Sequence, residues 1–103
     1  MNPPLPSRLG KETSRKDIHD RPMVYTVFDE DVFIAPSNPH KAFAIHKFKF
    51  ADGHEEFRIG YYMIAQRRRL KGKWAWGQYA PMMTKEDMFA IFDHLKKKGW
   101  IEA

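Results

Sequence analysis

The chain has no cysteine among its 103 residues. That excludes a disulfide framework, a thiol nucleophile and a thiolate metal site, and it fits a reducing compartment. No apolar run approaches the ~18–20 residues of a membrane span, and the N-terminus lacks the unbroken apolar stretch of a signal peptide. The expectation is a cytoplasmic protein with no membrane partner. Motifs that carry chemistry are equally scarce. A Gly-rich phosphate loop, a GxSxG elbow, an HExxH helix and an EF-hand loop are all missing. The histidines, His19, His40, His46, His54 and His94, show no i, i+4 pairing. Asp29, Asp31 and Glu55/Glu56 are the carboxylate groupings a metal could use, but their spacing is that of ordinary charged turns. The reading is a non-enzymatic protein without metal or cofactor.

What is present is a dense supply of apolar and aromatic side chains, 43% and 15% of the chain. That is enough for one small core without a staple. The net charge is +5, and its placement says more than its size. Residues 41–73 hold nine basic and three acidic side chains, whereas the segments on either side are close to balance. The same region holds the clearest strand pattern. Asp52-Gly53, taken as a two-residue type I′ turn, sets Phe50 opposite Glu55, Phe48 opposite Phe57, His46 opposite Ile59 and Ala44 opposite Tyr61. On that register Phe48, Phe50, Phe57, Ile59, Tyr61 and Met63 share a core face with Ala42, Ala44 and His46. The other face carries Lys47, Lys49, Glu56 and Arg58 near the tip, with Lys49 paired to Glu56. Toward the open end it turns apolar, with Phe43, Ile45, Tyr62 and Ile64.

Residues 1–22 are rich in proline and charge and poor in apolar anchors, so they read as a flexible tail. Within them Pro3–Arg8 matches a PxxP-plus-basic pattern that is common by chance, and Thr13–His19 offers a marginal helix. MVYTVF (23–28) and VFIA (32–35) read as two short strands around Asp29-Glu30-Asp31, or as one strand with a charged kink. After the hairpin, QRRRLKGK forms a basic loop, and KWAWGQYA a last strand with Trp74, Trp76 and Gln78 on one face. Both tryptophans are expected in the core. The final element is a helix from Lys85 to Lys98 with Thr84 as N-cap, Asp87 at N3, Met83 and Met88 as a staple, and Gly99 as a left-handed cap on which Trp100 folds back toward Leu95. Its apolar arc is Met88, Phe89, Ile91, Phe92 and Leu95, with Asp93, Lys97, Ala90 and His94 opposite. The fold class is therefore α+β: a single small domain over residues 23–103, an antiparallel sheet of four to five strands with one C-terminal amphipathic helix packed on one face. That helix is expected on Phe48, Phe57, Ile59 and Tyr61.

Two functions follow from this pattern. The first is a small module that binds single-stranded DNA or RNA with little regard to sequence. Arg67, Arg68, Arg69, Lys71 and Lys73 of the loop, with Lys47 and Arg58, would neutralise phosphates, and Tyr62 and Tyr79 would stack bases. The second is an interaction or accessory domain whose Met/aromatic surface binds another protein or its own copy.

Overall fold

The computed structural model describes residues 2–77 and 79–102, and of Arg68 the backbone only; the expected position of Gln78 beside the tryptophans lies outside the described residues. The chain forms β1 (Glu12–Lys16), β2 (Pro22–Ala35), β3 (Asn38–Phe50), β4 (Glu55–Ile64), a 3₁₀ turn (Arg68–Leu70), β5 (Trp74–Trp76) and α1 (Lys85–Lys97). The strands pair antiparallel in sequence order in one curled sheet. The α+β class, the antiparallel sheet and the single C-terminal helix are all as the pattern required.

The hairpin register differs from the expected one by a single residue. The β3–β4 connection is Ala51-Asp52-Gly53: Gly53 N–H donates to Phe50 C=O at 2.9 Å, and Phe50 N–H donates to His54 C=O at 3.0 Å. Gly53 has φ +91°. This is the three-residue loop in which a type I turn runs into a left-handed residue and a bulge, rather than the two-residue type I′ turn. The Asp52 carboxylate accepts from His54 N–H at 2.9 Å and holds the turn. One more loop residue moves every pair by one, so Lys47 faces Phe57, Ile45 faces Ile59 and Ala44 faces Gly60. Because strand side chains alternate, β3 and β4 exchange partners across the two faces. Phe43 and Ile45 join Phe57, Ile59 and Tyr61; Phe48, His46 and the alanines join Arg58, Gly60 and Tyr62. The expected Lys49–Glu56 pair is replaced by Lys47 Nζ–Glu55 Oε1 at 3.5 Å.

β2 is one strand kinked at its acidic triplet. Pairing steps from Val27–Phe48 to Asp29–Lys47, which leaves Phe28 as the extra residue of a bulge. The bulge switches the face on which odd-numbered residues fall. Tyr25 and Val27 therefore pack with Phe48 on one side, while Phe33 and Ala35 pack with Phe43, Ile45 and Ile91 on the other.

The helix is capped at both ends as its local pattern demands. Thr84 and Asp87 form a reciprocal capping box. Gly99 (φ +73°) donates to Lys96 C=O and Trp100 to Leu95 C=O, each at 2.9 Å, closing a Schellman motif. Its rotation about its own axis, however, is not the expected one. Asp87 is 1% exposed and accepts from Ser37 Oγ at 2.7 Å and Ser37 N–H at 3.1 Å. About two and three turns further on, His94 Nδ1 meets Asp31 at 2.7 Å with its ring stacked on Phe33 at 3.7 Å, and Lys98 Nζ meets Asp29 at 3.2 Å. Asp87, His94 and Lys98 lie on one stripe of the helix, tied along β2. Ala90, Ile91 and Leu95 fill the space beside that stripe. Met88, Phe89 and Phe92, expected inside, are turned outward as a result.

The opposite face of the sheet is closed by the N-terminal stretch. Residues 1–22 read as a tail, but β1 pairs with β2 from Glu12–Thr26 to Lys16–Pro22, and the residues before it lie across the sheet. Asn2 Nδ2 donates to Pro39 C=O at 2.7 Å, Trp74 Nε1 to Pro3 C=O at 3.0 Å, Arg8 N–H to Glu30 Oε2 at 3.0 Å and Gly10 N–H to Val27 C=O at 2.7 Å. Thr13–His19 therefore contains a strand instead of a marginal helix. No helix among the described residues is long and apolar enough to cross a membrane.

Candidate binding surfaces

Two surfaces carry side chains that the fold leaves unpartnered, one on each side of the sheet. On the helix side, the outward stripe of α1 runs Lys85, Met88, Phe89, Phe92, Lys96. Phe89 is 58% exposed, and Met88 and Phe92 are nearly as open. The stripe continues into a wholly apolar groove of about 130 Å³ between α1 and β4, lined by Ile59, Met83, Met88, Ile91, Phe92 and Leu95. Phe57, expected to sit beneath the helix, is 49% exposed and touches only the rim of the core, its ring 5.9 Å from Trp100. Contiguous apolar surface of this kind is uncommon on a chain that works alone.

On the other side, where residues 2–10 cross the sheet as a strap, β5 and β4 build an aromatic and basic site. Gly60 stands where any Cβ would overlap the Trp76 ring, and Gly77 where one would overlap Tyr61. The two glycines let an indole and a phenol lie flat on opposite sides of the same strand pair. Trp76 stacks near His46 (5.6 Å between centroids) and meets Tyr62 edge-on (5.0 Å). The guanidiniums of Arg8 and Arg58 each lie 4.7 Å from the Trp76 ring. Arg58 Nη2 donates to His46 Nδ1 at 2.9 Å, so that nitrogen carries no proton and the imidazole is neutral. Burial, and then the Arg58 charge, hold His46 down to about 4, against the partial pull of Glu30 3.5 Å away. Arg58 is itself pushed down by burial and then by the charges of Arg8 and Arg15. Arg15, Arg58, Trp76 and Tyr79 line a cavity of about 500 Å³ at this edge.

The residues expected to bind nucleic acid are only partly brought together. Arg58 and Tyr79 share that cavity, and Tyr79 is 81% exposed. Tyr62 is 4% exposed, because β5 and the strap cover the face on which an open ring was expected. Trp74 and Trp76 are half-buried over Ala42, Ala44 and Tyr62. Lys47 lies on the other side of the sheet among Phe28, Phe57 and Trp100, paired to Glu55. Arg67, Arg69, Lys71 and Lys73 are exposed in the β4–β5 connection, one hairpin end away from the cavity, and the side chain of Arg68 lies outside the described ones. Sequence reasoning placed neither Arg8, noted only in the PxxP-plus-basic pattern, nor Arg15 in this site, since both lie in the supposed tail. The one signal that could have found them was the basic excess of that stretch, five basic side chains against three acidic ones in residues 1–22.

The carboxylates considered for a metal are all engaged elsewhere: Asp29 with Lys98, Asp31 with His94, Glu55 with Lys47 and Glu56 with His54. Among the described residues no three His, Cys, Asp or Glu side chains gather as metal ligands would. Neither a protein-family model, nor a curated protein, nor a solved structure matches the chain.

Proposed function

We propose that the protein is an interaction domain whose α1 stripe and α1–β4 groove receive an amphipathic segment of another protein, apolar along one side and bordered by carboxylates. The observation that carries this reading is the outward turn of Met88, Phe89 and Phe92 beside an apolar groove. Grooves of this form take amphipathic helices through anchors at i, i+3/4 and i+7. Charge selects the partner. Lysines stand at both ends of the stripe, Lys85 and Lys96, with Lys85 Nζ 5.9 Å from the Phe89 ring. A second copy of this chain would set lysine against lysine in either relative direction, whereas acidic flanks on a foreign segment complement both ends.

The test is fluorescence anisotropy with two labelled helical peptides that share a Leu/Phe face, one flanked by glutamates and the other by lysines. The glutamate peptide should bind about tenfold tighter, and Phe89→Ser with Phe92→Ser should abolish binding at unchanged stability. Equal binding of both peptides, or none below ~100 µM, overturns the reading. A concentration-dependent dimer lost in the double variant would assign the surface to self-association instead.

A further inference from the structure

The geometry points to a nucleotide site in the cavity between β1 and the β4–β5 edge: the phosphate between Arg15 and Arg58, the base on the Tyr79 ring. This site is separate from the α1 groove and does not depend on it. Three observations converge. First, the positive charge is not answered. Arg8, Arg15 and Arg58 gather around Trp76, yet none of the ion pairs formed among the described residues involves an arginine. Glu30, beside His46 on β2, is occupied by the Ser7 hydroxyl and the Arg8 backbone N–H. Clustered guanidiniums repel one another in a half-buried place, and an anion between them removes that cost.

Second, donors are left over. Arg15 and Arg58 both line the cavity, and among the described residues the Arg15 guanidinium makes no hydrogen bond or ion pair, while Arg58 spends Nη2 on His46 and has its Nε closed off from solvent. A phosphate has the oxygens, and a guanidinium the fork, for paired charge-assisted bonds. Third, the site has room and a free aromatic ring. Its volume of about 500 Å³ falls in the range of small-ligand clefts. Trp76 is already covered by two arginines, but Tyr79 stands open at the cavity wall. A bare anion would use the arginines and leave Tyr79 without a role. A nucleotide uses both.

Isothermal titration calorimetry at low salt with AMP, adenosine, inorganic phosphate and a 5′-phosphorylated oligodeoxyadenylate tests this. AMP should bind, with adenosine and phosphate each at least about tenfold weaker. Arg15→Gln and Tyr79→Ser should each raise the AMP dissociation constant about tenfold, and both positions are exposed enough to leave folding intact. If AMP fails and the 5′-phosphorylated strand binds through the same two residues, the ligand is the end of a nucleic acid strand and the site stands. Phosphate binding as well as AMP overturns the proposal, as does binding indifferent to Arg15→Gln and Tyr79→Ser. So does the absence of heat for every probe up to about 1 mM, the weakest affinity a specific site of this kind would show.

Discussion

The two faces of the sheet are sealed by different means. The helix side is closed by a regular element with strong local signals, and its centre is apolar: Phe33, Phe43, Ile45 and Ile91. Its polar contacts, at Asp87, His94 and Lys98, stand in a row along β2 and determine how the helix is rotated. The strap side is closed by an irregular stretch with almost no signal of its own. Its centre is mixed: His46 and Arg58 are packed among Phe48, Trp76 and Tyr62 with several polar atoms left unpaired. A helix satisfies its own backbone and can be placed by a few side chains. A strap must find partners for each group one at a time, which is why it ends on carbonyls of distant residues, Pro39 and Val27, and receives the Trp74 indole. The first arrangement leaves an apolar surplus on its outer side. The second leaves a surplus of charge.

The sharpest way to break this comparison is at the centre of the helix side. Phe43→Ala should cost ~3–5 kcal/mol in a urea series, since Phe43 is fully buried between the sheet and α1. Phe57→Ala, on the neighbouring strand and half open, should cost no more than about 1 kcal/mol. Equal losses would mean that the register is the two-residue one after all.

pH separates the faces next. The folded His46 refuses a proton until about pH 4, whereas the unfolded chain takes one near 6.5. Stability is therefore complete above pH 6.5, declines as pH falls toward 4, and levels off below that, a loss on the order of 3 kcal/mol. His46→Gln should remove this dependence. On the helix side Asp87 acts lower. Burial alone would raise its carboxyl, but hydrogen bonds from Ser37 and Thr84 outweigh it and hold the group below its ordinary value. Its contribution is present above the unfolded value of 3.8 and is lost as pH falls through the folded one. A denaturant midpoint followed from pH 8 to 2 should show two separate declines, and Asp87→Asn should erase only the more acidic one.

Removing residues 1–9 should lower the thermal midpoint by at least ~5 °C and shift tryptophan emission to the red, because Trp74 and Trp76 lose their cover. An unchanged midpoint and spectrum would return the stretch to a free tail. The smallest effect is expected at Lys97, exposed on the flank of α1: Lys97→Ala should change stability by less than about 0.5 kcal/mol.

Much of this was determined by the sequence alone, wherever the cause is local. Thr84 and Asp87 cap the helix and Gly99 ends it because each group finds its partner within four residues. The β-branched and aromatic runs make strands, and Asp52-Gly53 makes a turn, in any context. Tertiary structure decided what depends on a single residue's offset or on distant partners. An Asp-Gly pair fits both a two- and a three-residue loop, and only packing of Phe43 and Ile45 under α1 selects the latter. Met88, Phe89 and Phe92 are as apolar as Ile91 and Leu95, so composition could not foresee that Ser37, Asp31 and Asp29 would turn the helix to favour Asp87, His94 and Lys98. Nor could residues 2–16 announce their place, for they hold few apolar anchors and take their partners from distant parts of the chain, Val27, Glu30, Pro39 and Trp74. Arg8 and Arg15 reach Trp76 by that route, so the basic cavity exists only in three dimensions.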